Sequence, residues 1–207
     1  MASSLIHLCV ANEINKKLNK DKSQILIGSI APDISKHIGE LRSKSHFNDE
    51  IGTSHLNFLK KYEKNLNDDF VLGYYIHLYT DYLWERYFIT ELHKKDLIRK
   101  MNGDIVKCNG SMYKLYIYND YTSLNSQIID EYELDLNIFF EELPKFKDII
   151  EEIPMDQINL IVDYTGVIIA TSKQKKEFVF DINAIKQFVN LSTDIILSDI
   201  INRKNPN

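Results

Sequence analysis

Turn-forming residues are scarce in this chain. Seven glycines and four prolines in 207 residues fall well below average usage of roughly 7% and 5%. Few turns favour long helices over many short strands. Cysteine is scarce too. Cys9 and Cys108 are too few for a disulfide framework and suit a reducing compartment. Lys16-Lys17 and Lys173-Gln174-Lys175-Lys176 are short, and the formal net charge is −5. With no dense basic stripe, nucleic acid is not expected as a stable partner. No run approaches the ~18 apolar residues of a membrane span. No basic stretch precedes the first apolar segment, and Glu13 and Lys16 interrupt it, so no signal peptide is expected. The expectation is a cytoplasmic protein without a membrane span.

Hydrophobic residues make up 44% of the chain and charged residues 27%, ordinary values for a globular domain. With the shortage of turn residues and the helical patterning described next, the expectation is an all-α, single-domain multi-helix bundle over residues 1–207, with the candidate metal site in 1–90 and a helical remainder over 103–202. Ser3 or Ser4 can cap a first helix ending near Leu18, with His7, Val10, Ala11, Ile14 and Leu18 on one stripe. The segment 24–30 is apolar and leads into a turn before Pro32, after which Asp33 can cap a short helix. Residues 35–50 read as a polar loop containing Ser45-His46-Phe47. Helices follow over 53–64 and from 69 past 89, the second capped by Asn67 or Asp68. Asn102-Gly103 and Asn109-Gly110 mark breaks. Amphipathic helices are then expected over 111–118, 122–133, 136–152, 155–172 and 181–202, with 203–207 frayed.

The strongest chemical signal is Gly73-Tyr74-Tyr75-Ile76-His77-Leu78-Tyr79-Thr80-Asp81. On a helix His77 and Asp81 share a face with Phe70, Tyr74, Trp84 and Phe88, so they should point inward. A buried carboxylate is costly unless paired or metal-bound. His7, Asp33 and His46 add imidazole and carboxylate donors from separate segments, the donor types of a zinc or related transition-metal site. Each has a plain alternative: His7 a packed core histidine, Asp33 a cap, His46 an exposed loop residue. His37, four residues after Asp33, competes with His46 for the loop role. Glu85 is either an extra ligand or a salt-bridged residue. His55 and His93 read as structural or exposed.

The order His7, then Gly28-Ser29-Ile30-Ala31-Pro32-Asp33, then His46, then Leu72-Gly73-Tyr74-Tyr75-Ile76-His77-Leu78-Tyr79-Thr80-Asp81 resembles the zinc-dependent phospholipase C family (phospholipase C/P1 nuclease-like). The resemblance covers roughly residues 1–90. It implies an all-helical fold and Zn2+, or another divalent transition metal. Asp33, His46, His77 and Asp81 would hold one ion, and His7 with Asp81 a second. It also implies a small-molecule or lipid phosphoester substrate and a hydrolytic role for Asp33, which would orient or deprotonate a metal-activated water. Exported members use the amine and carbonyl of an N-terminal Trp, where this chain begins Met1-Ala2-Ser3-Ser4. A third ion in that family takes two further histidines and a Glu. Here His93 is the only histidine after His77, so one or two ions are expected. The alternative is a non-catalytic helical protein that kept the scaffold and binds metal or a partner. A His-Asp phosphohydrolase is disfavoured, because no His-Asp dipeptide occurs.

Overall fold

The structure, a computed structural model, describes residues 1–94 and 96–204. Helix dominates it, as the shortage of turn residues predicts. Helix α1 spans Ser4–Leu18, with Ser3 as its cap accepting from the Ile6 N–H and Asn19 closing it in the left-handed conformation. Helix α2, Lys22–Gly28, is capped by Asp21. It occupies the segment expected to be a short apolar stretch before a turn. A 3₁₀ turn at Ala31–Ile34 follows, with Pro32 in its first positions. Two single-turn helices, α3 (Ser35–Ile38) and α4 (Arg42–Ser45), replace the expected loop.

Helix α5, His55–Tyr62, is capped by Ser54. Helix α6, Asp69–Leu83, is capped by Asp68, whose carboxylate accepts from the Phe70 and Val71 N–H groups. It continues through a π-helical turn, Trp84–Phe88, into α7, Ile89–Leu92. Such a turn inserts an extra residue into the ladder and re-aims the side chains after it. Helix α6 is the centre of the protein, buried on most of its circumference by α1, α2, α5 and the last helix.

Helices α2 and α6 cross at two glycines. A Cβ on Gly28 would stand 2.3 Å from the Phe70 carbonyl oxygen, and one on Gly73 would stand 2.3 Å from the Ile25 carbonyl oxygen. Only residues without a side chain allow this approach.

Three differences from the sequence reading concern the second half. A three-stranded antiparallel sheet, β1 (His93–Lys94), β2 (Leu97–Arg99) and β3 (Ile105–Lys107), was not anticipated. The predicted break at Asn102-Gly103 is its hairpin turn, with Gly103 at φ 89°. Strands this short carry too little alternation to be read from sequence. The segments 111–118 and 122–133 form one helix, α8, Gly110–Tyr132, capped by Asn109. Asp120 sits in its middle without breaking it, because its buried carboxylate accepts from the N–H groups of Phe178, Val179 and Phe180. The expected helix 136–152 is absent apart from a 3₁₀ turn at Asn137–Phe139. Pro144 interrupts it, and the chain is held instead by Tyr62, whose hydroxyl accepts from the Glu151 N–H. Helix α9 runs over Asn159–Ala170 and α10 over Ile182–Lys204. Part of the stretch expected to fray, 205–207, lies outside the described residues. Among the described residues no helix is long and apolar enough to cross a membrane.

Candidate metal centre

Four segments bring the five sequence-selected residues together: His7 from α1, Asp33 from the 3₁₀ turn, His46 at the end of α4, and His77 with Asp81 from α6. All five are buried. Their potential ligand atoms fall into two groups, Asp33/His46/His77 and His7/His77/Asp81, which share His77.

The tautomers follow from the backbone. His77 Nδ1 lies 2.7 Å from the Ser29 carbonyl oxygen. A carbonyl only accepts, so Nδ1 carries the proton and Nε2 keeps its lone pair. His46 Nδ1 lies 3.2 Å from the Arg42 carbonyl oxygen and 2.9 Å from Ser45 Oγ. The carbonyl contact again puts the proton on Nδ1. The two Nε2 atoms then face each other at 3.2 Å. Asp33 Oδ1 lies 3.5 Å from His46 Nε2, and Asp81 Oδ2 lies 3.7 Å from both Nε2 atoms. Converging lone pairs repel unless a cation sits among them. Atoms bound to one tetrahedral zinc at about 2.0–2.1 Å stand about 3.4 Å apart, close to these separations. The donor set therefore fits an ion of this type.

Asp81 divides its oxygens. Oδ2 faces His46 and His77 and receives Arg42 Nη2 at 2.5 Å. Oδ1 accepts from the Ala2 N–H at 2.8 Å and lies 3.3 Å from His7 Nε2 without hydrogen-bonding geometry. The His7 ring stacks on His77 with centroids 3.7 Å apart, and neither of its nitrogens has a hydrogen-bond partner. An orphaned buried imidazole is costly, and this edge of Asp81 suits a second ion.

Electrostatics keep the set in ligand form. Burial raises the Asp33 carboxyl, but its polar and charged neighbours outweigh it, the Lys36 ammonium at 2.7 Å among them, and hold it well below the usual carboxylate range. Asp81 is likewise raised by burial, yet the charge of the nearby amino terminus, with His7 and His77, holds it well below that range. Burial, with the neighbouring His7, holds His77 well below its ordinary value, and burial lowers His46. The carboxylates are thus anionic and these imidazoles neutral, as metal ligands must be.

His37 does not compete with His46. It packs against Tyr164, ring centroids 4.1 Å apart, outside both groups. Glu85 lies 3.5 Å from Arg42 Nη2 and accepts from the Thr53 N–H at 3.2 Å, the salt-bridged alternative. His55 is buried and stacked on Tyr79, and His93 packs against Tyr113. Sequence reasoning missed two cationic side chains on the site. Arg42 pairs with Asp81, and Lys36 Nζ lies 2.7 Å from Asp33 Oδ1. Both stood in a stretch read as solvated loop, where a Lys or Arg carries no signal of its own. The backbone acceptors of His46 and His77 are invisible in sequence, because any residue supplies a carbonyl.

No curated protein and no solved structure matches the chain. A protein-family comparison matches residues 4–161 to zinc dependent phospholipase C, well beyond the 1–90 over which the motifs are legible. With the match running from α1 through the metal-type cluster into α9, the chain belongs to the zinc-dependent phospholipase C family.

Proposed function

We propose that this chain is a metal-dependent hydrolase of a small-molecule or lipid phosphoester. Asp33, His46, His77 and Asp81 would hold one zinc-type ion, and His7 with Asp81 a second. The observation that carries the reading is the pair of Nε2 lone pairs 3.2 Å apart, with carboxylate oxygens from Asp33 and Asp81 at 3.5–3.7 Å.

When bound, such an ion supplies a Lewis acid and a water that ionises near neutral pH. The chain's own residues do the rest. Asp33 also lines an open cleft, which supports a role in orienting the attacking water and accepting its proton. The Ser29 and Arg42 carbonyls fix the His77 and His46 rings in the ligating tautomer. Arg42 and Lys36 restrain the two carboxylates. Cys9 and Cys108 are both unpaired, which supports a cytoplasmic setting, and the continuous hydrophobic core supports one domain.

The test is elemental mass spectrometry on protein purified without chelator, followed by a phosphodiester screen. One or two zinc-type ions per chain, with turnover lost to chelator and restored by metal, is the expected result. No bound metal after incubation with zinc would overturn it. The Arg42–Asp81 and Lys36–Asp33 pairs favour a second reading, because they partly neutralise the carboxylates without an ion. In that reading the scaffold binds metal or a partner and does no chemistry. Full metal content without turnover on any phosphoester would select it.

A further inference from the structure

The cleft that opens on Asp33 has a volume of about 400 Å³. Its outer wall comes from the half of the chain without a chemical signature, including Tyr118 of α8 and Tyr164 of α9. The rim of that wall is apolar yet exposed. On α9, Leu160, Tyr164 and Val167 are 39%, 46% and 57% exposed and share one face at i, i+4, i+7 spacing. On α8, Leu115 and Tyr118, three residues apart, are 65% and 49% exposed. Tyr118 and Tyr164 line the same cleft, so the two faces meet at its mouth. Single exposed hydrophobes are ordinary, but several grouped around one opening mark an interaction site. Lysines stand beside this rim. Lys114 lies one helical turn before Tyr118, and Lys36 lines the cleft itself. Lys173, Lys175 and Lys176 follow the end of α9 and are exposed. Their segment is tied to α8, where the Asn119 side chain donates to the Lys176 carbonyl at 2.8 Å and the Ser123 hydroxyl to the Lys175 carbonyl at 2.5 Å. The short basic tract of the sequence is thus held next to the apolar rim, with Asp163 as an acidic group on the same stretch of α9. The whole chain carries a net charge of −5. Exposed charges act over only about 8 Å at physiological salt, so a surface resting on this face meets the lysines rather than the overall acidity.

We propose that this face docks on an anionic lipid bilayer. The proposal deepens the hydrolase reading above and rests on it for the choice of a lipid, because docking here brings the mouth of the Asp33 cleft onto the head-group layer. Leu115, Leu160 and Val167 enter the boundary between head groups and acyl chains. Tyr118 and Tyr164 sit at the same level, ring in the apolar layer and hydroxyl in water. The lysines reach the anionic head groups. A protein partner fits the face less well, since lysine is depleted where proteins meet, whereas apolar side chains flanked by lysines suit an anionic membrane surface.

The experiment is co-sedimentation of the full chain with vesicles of mixed phosphatidylserine and phosphatidylcholine, and with vesicles of phosphatidylcholine alone, at low and high salt. The mixed vesicles should bind about 10-fold or more tightly than the neutral ones, and rising salt should erase the difference. Each lysine near an anionic surface is worth about 5-fold, so replacing Lys173, Lys175 and Lys176 together with glutamine should weaken binding about 100-fold. Leu160→Ser combined with Val167→Ser should weaken it about 10-fold. None of these five residues lines the cleft, so hydrolysis of a short-chain soluble phosphoester should be unchanged. Leu191→Ser is the control, 58% exposed but on α10, and should bind as wild type does. Wild-type chain that ignores the mixed vesicles at low salt overturns the proposal, as does an equal loss in Leu191→Ser. A chain that docks yet cuts no phosphoester keeps the docking face and loses the hydrolase reading, and one that cuts the soluble phosphoester but ignores vesicles does the reverse. The wild-type lipid and salt comparison decides the matter even where a variant does not fold.

Discussion

Replacing Gly73 with alanine should force α2 and α6 apart. The new Cβ would stand 2.3 Å from the Ile25 carbonyl oxygen and 3.0 Å from the Gly28 Cα, where ordinary contact begins near 3.4 Å. The helices must therefore part by about 1 Å to restore normal contact. Both obstructing atoms are backbone, so no rotamer change relieves them. Overpacking of this kind costs about 3 kcal/mol, and alanine's better helix propensity returns about 1 kcal/mol. The net loss should be about 2 kcal/mol, or a Tm lower by about 4–8 °C for a chain of this size. Gly166→Ala in α9 is the control. Its nearest neighbour would be the Phe139 Cβ at 3.9 Å, so only the propensity gain remains. Urea denaturation followed by circular dichroism reads both variants. A second consequence reaches the metal centre. The Ser29 carbonyl follows directly on α2 and accepts from His77 Nδ1, so a shift of about 1 Å should break that bond and weaken metal affinity about 10- to 100-fold. Gly73→Ala as stable as wild type, while Gly166→Ala shows its gain, would refute the close crossing and the link to His77 with it.

Asp81→Asn should retain helical circular dichroism yet lose bound metal by mass spectrometry, because both Asp81 oxygens face imidazoles; undiminished metal content would sink the ligand assignment. Asp120→Ala should lower stability by about 3 kcal/mol in urea, since it orphans the Phe178, Val179 and Phe180 N–H groups; a loss under about 1 kcal/mol would mean water replaces the carboxylate. His55 gives a pH test away from the metal. Burial pushes it down to about 4, so the folded state prefers it neutral. Its contribution is whole above the unfolded value of about 6.5 and declines as pH falls from there toward 4. Allowing for partial solvent screening, wild type should lose about 1–2 kcal/mol between pH 7 and 4.5 through this group, and His55→Phe should flatten that part of the curve. Identical pH profiles for the two proteins would contradict the burial of a neutral His55.

Local chemistry in the sequence was enough for α1, α5, α6, α9 and α10 and for singling out five polar residues that the structure brings together. Scarce Gly and Pro, a cap at Ser3 or Ser4 and another at Asn67 or Asp68, and the His77/Asp81 spacing are all short-range signals; the structure uses Ser3 for α1 and Asp68 for α6. Failures came where long-range partners decide. Asp120 keeps α8 continuous only because residues 178–180 supply three donors, nearly sixty positions away. The hairpin strands are three residues each, too short for a period to register. Tertiary structure alone decided which carbonyls set the tautomers of His46 and His77, which cations rest on Asp33 and Asp81, and that α8 and α9 wall the cleft. The reason is physical. Ligand residue types and helical period are properties of a few neighbouring residues, whereas a lone pair's direction and the close glycine crossing of α2 and α6 exist only once distant segments are packed together.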